Sequence, residues 1–256
     1  GMRELAAGCA LCNDAEIGYD AVEKVFTRVG EPTEAALKVL VEKLGVPGAA
    51  PPPDAAAAAS HYGSLVAAGY SKLATLEFSR ARKSMSVLCR PVGARLNQLF
   101  VKGAPESVLP RCAFVRLADG TTVRMTDEWR RVLTAHFESM ATRPLRTLAL
   151  AVKERGLGPL THYDGSADAP PVLSKPASFA NIESGLTFVG FAGITDPARP
   201  EVATAIASCR AAGIRVVMIT GDSAQTAAAI ARDVGIFDAA SDSVDFIKTR
   251  TFSGGE

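Results

Sequence analysis

The sequence predicts an α/β protein in which an antiparallel sheet flanked by helices is followed by a smaller unit with a parallel sheet. Three short segments between residues 73 and 102 have the length of strands, and in one of them apolar residues alternate with serines. A hairpin follows, because the pair Asp119-Gly120 favours a tight turn between the two stretches beside it. After Leu186, apolar runs without alternation are separated by helical segments, which is typical of a parallel sheet covered on both faces.

The first elements in chain order are a helix and an insertion. Residues 31–44 are predicted to be helical because their apolar side chains recur at helical spacing, with Pro32 suited to the first turn and Gly45 to the end. Residues 47–59 are rich in proline and alanine, and we interpret them as a surface insertion that need not be ordered.

The next elements form the antiparallel sheet and its helices. The predicted strands and hairpin are 73–79, 84–90, 96–102 and 113–125. A helix is predicted over 127–140, with Asp127 and Glu128 placed favourably in its first turn, and a buried strand over 147–152. Residues 156–176 are rich in Gly, Pro, Ser and Asp, which predicts a long exposed loop.

The last part of the chain is predicted to alternate strands with helices. The strands are 186–194 and 214–219, and the helices are 199–212 and 224–234. Two prolines restrict the backbone near Asp196 and Arg199, and we place a domain hinge there. The sequence therefore predicts a first domain over residues 1–195 and part of a second domain over 196–256.

The balance of charge argues against a nucleic-acid partner. The 256 residues include 28 basic and 27 acidic side chains, which gives a net charge of +1, whereas a nucleic-acid binder needs a basic surplus or stripe. No stretch approaches the roughly 20 apolar residues of a bilayer span, so this piece is expected to be soluble. Five cysteines without framework spacing favour free thiols. We interpret Cys9 and Cys12 as buried apolar residues, the alternative being a metal or redox pair, and we predict no metal ligands.

Thr220, Gly221 and Asp222 stand where a predicted parallel strand ends and a helix begins. Ligands bind at this position in open α/β sheets, and the N–H groups of the helix face anions there. Gly221 permits a close approach of the backbone, while Thr220 and Asp222 offer a hydroxyl and a carboxylate. The alternative is a structural turn with a helix cap.

A second group of candidates surrounds Phe78. Three cations, Arg80, Arg82 and Lys83, occupy adjoining positions of the predicted sheet. An aromatic ring beside cations suits a flat anionic ligand, because the ring stacks on a base while the cations approach phosphate. The alternative is a solvated strand edge.

A third candidate group lies at the end of the next strand. Lys102 ends that strand, Gly103 has no side chain to block a ligand, and Pro105 opens a helix. The alternative is an ordinary turn from a strand to a helix.

Together these segments resemble the cytoplasmic domains of the P-type ATPases, from near residue 4 to the end. The motifs that carry the resemblance occur in family order and are ALCNDA, GEPTEAAL, FSRARKSMSV, KGAPE, PLRTLALAV, DPARPEV and AGIRVVMITGDSAQTAAAIARDVGIF. The sequence around Phe78, S-R-x-R-K-S-M-S-V, is most similar to the sarco/endoplasmic-reticulum calcium branch. The resemblance implies a nucleotide-binding domain followed by part of a Rossmann-like phosphorylation domain of the haloacid-dehalogenase type.

The resemblance implies an ATP site. The residues that match the family's pocket are Thr33, Glu34, Phe78, Arg80, Lys83, Lys102, Gly103 and Arg146. Phe78 is then expected to stack on adenine, Glu34 to face the base and Lys102 to close the adenosine pocket. Phosphate or ribose oxygens are expected to meet Arg80, Lys83 and Arg146.

The resemblance also implies a role for the second half. Thr220, Gly221 and Asp222 match the motif that surrounds the phosphoryl group and its Mg²⁺, and Asp196 and Arg199 match the hinge. The Asp-Lys-Thr-Gly-Thr motif with the phosphorylated aspartate is absent from the sequence, as is the later segment that completes the Mg²⁺ site. Because covalent catalysis needs that aspartate, the chain is expected to bind ATP without cycling.

The implied whole protein is an ATP-driven calcium pump at the cytosolic face of the endoplasmic reticulum. Together with the missing motifs, the opening Gly1-Met2 gives the expectation that the sequence starts inside a longer protein. The implied partners are ATP and the remaining phosphorylation, actuator and transmembrane domains of that protein. The transported ion rests on resemblance alone, so a neighbouring branch such as a secretory-pathway calcium pump stays open.

Two other classes of protein remain as alternatives. A soluble phosphohydrolase of the haloacid-dehalogenase type also carries Thr-Gly-Asp after a parallel strand, but it has no reason to carry KGAPE and FSRARKSMSV. A non-catalytic nucleotide-binding module suits the shortened chain, but not the part that follows the hinge.

Overall fold

The computed structural model describes residues 1–141, 143, 145–195, 198–220 and 224–237. The chain divides into two compact units, each made of two stretches. The first unit comprises Gly1–Arg130 and Leu148–Ala192, and the second comprises Arg131–Thr147 and Gly193–Glu256. The domain boundary predicted between residues 195 and 196 stays a prediction.

Both long helices that the apolar spacing predicted are present. The α-helices are α1 (Met2–Leu11), α2 (Pro32–Leu44), α3 (Ala55–Ala58), α4 (His61–Ala68), α5 (Pro105–Val108), α6 (Asp127–Ala141), α7 (Phe179–Ile182), α8 (Pro200–Ala211) and α9 (Ala224–Asp233). Pro32 begins α2, and Gly45 follows it with a φ of 68°, a left-handed conformation that suits glycine. Inside the proline- and alanine-rich insertion, α3 is capped by Asp54, whose carboxylate accepts a hydrogen bond from the Ala57 N–H at 2.8 Å.

The predicted antiparallel strands are confirmed and join one mixed sheet. The strands are β1 (Glu16–Asp20), β2 (Val25–Val29), β3 (Tyr70–Ser79), β4 (Ser84–Pro91), β5 (Gln98–Gly103), β6 (Cys112–Arg116), β7 (Thr122–Arg124), β8 (Leu145–Lys153) and β9 (Leu186–Thr195). Seven of them form a sheet in the order β3-β4-β5-β8-β9-β6-β7. The pairs β3–β4, β4–β5, β5–β8 and β6–β7 are antiparallel, and β6 pairs with β9 in parallel.

Two predictions for the last part of the chain were wrong. The apolar strand β9 does not begin a separate parallel sheet, because it lies between β8 and β6 in the seven-stranded sheet. Its first three residues, Leu186–Phe188, are buried, so the start of this strand does not alternate between buried and exposed residues. Residues 214–219 form neither helix nor strand. A strand needs hydrogen-bonded neighbours, and no described strand pairs with this segment.

The hairpin of β1 and β2 was not predicted. Its five antiparallel residue pairs run from Glu16–Val29 to Asp20–Val25, and every residue of β2 is exposed. The predicted loop 156–176 carries short 3₁₀ turns at Gly158–Leu160 and Pro171–Ser174.

The core of the first unit lies between α1 and the sheet. It joins side chains of α1, β4, β5 and β8, namely Ala7, Leu11, Cys12, Met85, Val87, Cys89, Phe100 and Val152. The alternation predicted for β4 is present, with Met85, Val87 and Cys89 in this cluster and its serines outside it. Each of the larger apolar side chains stabilises the fold by about 1.5 to 3 kcal/mol. Within the described part of the chain, no helix has both the length and the apolar character that crossing a bilayer requires.

Candidate functional site

Lys102 and Glu34 form an ion pair between β5 and α2. Lys102 lies one residue before the end of β5 and is 7% exposed, while Glu34 lies in the first turn of α2. The Lys102 Nζ donates a hydrogen bond to Glu34 Oε1. The second carboxylate oxygen, Glu34 Oε2, accepts a hydrogen bond from the backbone N–H of Asp14 at 3.1 Å. Two of the predicted site residues are therefore in direct contact.

Asn13 fixes the start of α2 against the end of α1. Its Nδ2 donates to the backbone carbonyls of Cys9 at 3.0 Å and Glu34 at 2.8 Å, and its Oδ1 accepts from the Ala15 N–H at 2.9 Å. The side chain is buried, and these bonds give both of its polar ends a partner. Sequence reasoning did not assign Asn13 a role, although an asparagine directly after a helix is a common capping signal.

Gly103 lies where two backbones approach closely. It pairs with Ser84 across β5 and β4, and a Cβ placed on it would lie 2.4 Å from the Lys83 carbonyl oxygen and 2.8 Å from Ser84 Cβ. The same Lys83 carbonyl accepts a hydrogen bond from the Ala104 N–H at 3.0 Å. Glycine is required here because any side chain would push the β3–β4 turn away from β5.

Phe78, Arg80 and Lys83 are exposed around the turn between β3 and β4. The Phe78 ring is on β3 and its residue is 60% exposed. Arg80 has no hydrogen-bond or ion-pair partner within the part of the chain that the structure describes. The Lys83 Nζ lies 3.1 Å from Glu106 Oε1, with both side chains more than half exposed, at 55% and 53%. An ion pair so exposed contributes little stability, so an incoming anion can replace the carboxylate.

Arg82 was grouped with these cations, and this prediction was wrong. The residue is buried, and its Nη2 donates to the carbonyls of Leu76 at 3.0 Å and Glu77 at 2.6 Å. Its Nε lies 3.1 Å from Glu183 Oε1. Burial lowers the pKa of the Arg82 guanidinium, and the Glu183 charge counteracts this effect. The turn places Arg82 inward and its neighbours outward, a difference that the run of cations in the sequence does not reveal.

The remaining predicted residues are distributed over both units. Thr33 is half-buried beside Glu34 in the first unit. Arg146 is exposed on β8, and it belongs with Thr220 and Arg199 to the second unit. Thr220 is the last described residue of the irregular segment after α8. The predictions for Asp196, Gly221 and Asp222 lie outside the described residues.

A cleft of about 370 Å³ lies away from these residues. It is lined by Pro91, Ala94, Arg95, Leu96, Asn97, Gln98, Glu154 and Arg155. Gln98 is the first residue of β5, whereas Lys102 and Gly103 are its last. The cleft is therefore at the opposite end of this strand from the predicted ATP site.

Cys9 and Cys12 are buried, as predicted. Burial raises the pKa of each thiol to about 12, and the nearby Lys102 charge opposes this rise. The thiol form therefore prevails at neutral pH. Among the described residues, no group of three or more His, Cys, Asp and Glu side chains could hold a metal ion.

Residues 1–201 match the family model "P-type ATPase, cytoplasmic domain N". The chain belongs to this family, as the ordered motifs predicted.

Similar proteins include three calcium-transporting ATPases. "Calcium-transporting ATPase 2, endoplasmic reticulum-type" of Arabidopsis thaliana is 42% identical in an alignment of 249 residues that covers 92% of this chain and 23% of that protein. "Calcium-transporting ATPase 4, endoplasmic reticulum-type" of the same plant is 40% identical over 100% of this chain and 24% of its own length. "Endoplasmic reticulum calcium ATPase srcA" of Aspergillus fumigatus is 40% identical over 92% of this chain and 24% of its own length. The chain thus spans about a quarter of the length of these relatives.

Proposed function

We propose that this chain is the ATP-binding part of an ATP-driven calcium pump, and that bound ATP donates its γ-phosphate to an aspartate that the sequence does not contain. The names of the three relatives and the family of the chain support this proposal. The same names support a place at the endoplasmic reticulum, and the family description, a cytoplasmic domain, supports its cytosolic face. The partners are then ATP, Mg²⁺ and the phosphorylation, actuator and transmembrane regions of the whole protein.

The observation that carries the proposal is the arrangement of three residues at one end of the sheet. Ser79, Ser84 and Gly103 are paired in register across β3, β4 and β5. Phe78, Lys83 and Lys102 each precede one of these three residues. Neighbouring strands lie about 4.8 Å apart. The backbones of β3 and β5 are therefore roughly 10 Å apart at this end of the sheet, a distance that suits a nucleotide.

Each side chain has a part in this proposal that its surroundings suit. The exposed Phe78 ring stacks on adenine, because every base has an apolar face. The Lys102–Glu34 pair offers a donor and an acceptor to the edge of the base, and Thr33 lies beside it. Arg80 and Lys83 attract phosphate or ribose oxygens, and Arg146 is assigned the same role from the family motif alone. The donor set therefore fits ATP, which when bound supplies the phosphoryl group.

We further propose that residues 196–256 are part of a Rossmann-like phosphorylation domain of the haloacid-dehalogenase type, with a hinge at Asp196 and Arg199. Thr220, Gly221 and Asp222 then surround the phosphoryl group and Mg²⁺. This part of the proposal rests on the ordered motifs, because two of these three residues lie outside the described residues.

The test is titration calorimetry of the 256-residue chain with ATP. Phe78→Ala is expected to weaken binding by about 1 to 3 kcal/mol, the range for a base stacked on an aromatic ring. Phe26→Ala is the matched control, because Phe26 is 58% exposed on β2, in the separate two-stranded sheet. Absence of ATP binding to the unaltered chain contradicts the proposed function, and equal effects of the two variants contradict the assignment of the site.

A further inference from the structure

Glu183 is a fully buried carboxylate that ATP binding alone does not explain. It lies between α7 and β9 with 0% exposure. Ser84 Oγ donates to its Oε2 at 2.6 Å and Ser86 Oγ donates to its Oε1 at 2.8 Å. These are the serines of β4 that alternate with the apolar core residues. Burying a carboxylate costs free energy unless the group is paired and hydrogen-bonded. The partners of the Glu183 carboxylate therefore fix its position.

Two arginines complete the surroundings of Glu183. Arg82 Nε lies 3.1 Å from Oε1, and Arg111 Nη1 donates to Oε2. The Arg82 guanidinium also lies over the Phe179 ring, 5.1 Å from its centre. Each carboxylate oxygen therefore has one hydroxyl and one guanidinium partner. The Arg82 Nε donates its hydrogen bond to Ser84 Oγ at 3.1 Å, so Arg82 meets Glu183 as an ion pair, whereas the bond from Arg111 is charge-assisted and stronger than a neutral one.

The network reaches the exposed Lys83 through the backbone. Arg111 Nη2 donates to the carbonyl of Arg82 at 2.8 Å, and the Ala104 N–H donates to the carbonyl of Lys83 at 3.0 Å. The φ of Lys83 is 50°, a left-handed conformation that a residue with a side chain adopts at a cost. Both peptide groups that flank the Lys83 Cα are thus held, one by Arg111 and one by the strand end of β5.

We propose that Glu183 is a positioning residue of the nucleotide site, which through Arg82 and Arg111 holds Lys83 in its left-handed conformation and presents its ammonium group to the phosphates. This inference rests on the proposed function. The positioning role differs from a role in stability alone, because it requires Glu183 to affect the binding of the phosphates, which Lys83 contacts. The base, which Phe78 and Lys102 meet, is unaffected.

The test compares ATP with adenosine on four forms of the 256-residue chain: unaltered, Glu183→Gln, Lys83→Ala and the double variant. Glu183→Gln keeps the size of the side chain and removes its charge. ATP affinity is expected to fall about tenfold, because one hydrogen bond to a charged group has roughly this effect. Adenosine affinity is expected to stay within about twofold. In the Lys83→Ala background, Glu183→Gln should have almost no further effect on ATP, since the group that it positions is absent.

A second measurement works without nucleotide. Hydrogen exchange of the Ala104 amide, which donates to the Lys83 carbonyl, should be faster in Glu183→Gln than in the unaltered chain. If Glu183→Gln does not fold, Arg111→Lys replaces it, because lysine cannot hold the carboxylate and the Arg82 carbonyl together. Circular dichroism establishes the folded state of each variant.

The outcomes separate this inference from the proposed function. Equal losses for ATP and adenosine, or a full additional loss in the Lys83→Ala background, overturn the positioning role while ATP binding stands. Unchanged exchange at Ala104 overturns it as well. If the unaltered chain binds no ATP, the proposed function fails and the nucleotide role of Glu183 fails with it. Faster exchange at Ala104 would then show that the link from Glu183 to Lys83 exists without serving ATP.

Discussion

Replacing Gly103 by alanine is expected to destabilise the chain, although alanine is among the smallest changes a glycine can undergo. The added Cβ would lie 2.4 Å from the Lys83 carbonyl oxygen and 2.8 Å from Ser84 Cβ. The Lys83 oxygen belongs to the backbone, so no side-chain rotation can relieve the contact. The β3–β4 turn must therefore move, which also stretches the Ala104–Lys83 hydrogen bond of 3.0 Å. Overpacking of this kind costs about 1 to 3 kcal/mol, and we expect about 2 kcal/mol.

Urea unfolding followed by circular dichroism measures this loss, with Gly8→Ala as the matched control. Gly8 lies inside α1, and a Cβ there would meet the Leu150 side chain at 3.4 Å, an ordinary contact. Because glycine weakens a helix interior by roughly 0.5 to 1 kcal/mol relative to alanine, Gly8→Ala should raise the free energy of unfolding. The two substitutions are chemically identical and are predicted to have opposite signs. A Gly103→Ala variant as stable as the unaltered chain would refute the close approach of β5 to the turn.

Three further predictions concern other parts of the molecule. Lys102→Met should lower the free energy of unfolding, measured in urea, by about 3 kcal/mol, because it leaves the enclosed Glu34 carboxylate without its partner. Lys83→Met is the control: it breaks an exposed ion pair and should lower the free energy of unfolding by less than about 1 kcal/mol. Burial raises the pKa of four thiols to about 12, those of Cys9, Cys12, Cys89 and Cys112. Thiols of the unfolded chain ionise near pH 8.5, so the unfolded state loses protons first and stability should fall as the pH rises from about 9 toward 12; a flat stability between pH 8 and 10 would contradict this. Amides of residues 214–219 should exchange with solvent faster than those of β5, because none of the described strands pairs with this segment; equal protection in a monomer would count against that.

The order of helices and antiparallel strands could be predicted because local patterns determine it. The spacing of apolar residues located α2 and α6, and the pair Asp119-Gly120 located the turn between β6 and β7. Local patterns do not predict which strands lie beside each other, because strand pairing is decided by contacts between residues that are distant in sequence. The run from residue 186 to 194 has the composition of a strand buried in any parallel or mixed sheet. Its place between β8 and β6 follows only from the folded chain.

The candidate site was predictable to the extent that motifs specify it, and less so where burial decides the role of a side chain. Glu34 and Lys102 were assigned to one pocket from resemblance, and their ion pair is consistent with that assignment. Arg80, Arg82 and Lys83 have the same charge in the sequence, yet only Arg82 faces inward. Its burial depends on a partner about a hundred residues further along the chain, Glu183. No local pattern could link the two.

The strand β4 shows why the fold and the candidate site cannot be altered independently. Three of its apolar residues share the core cluster with α1, while Ser84 and Ser86 bond to Glu183 outside that cluster. At its first residue the strand adjoins Lys83 and pairs with Gly103. A substitution in β4 that loosens the core therefore also moves the turn that carries Arg80 and Lys83. Because the two effects share one strand, a loss of ATP binding in a β4 variant identifies a residue of the phosphate side of the site only if adenosine binding and stability are preserved.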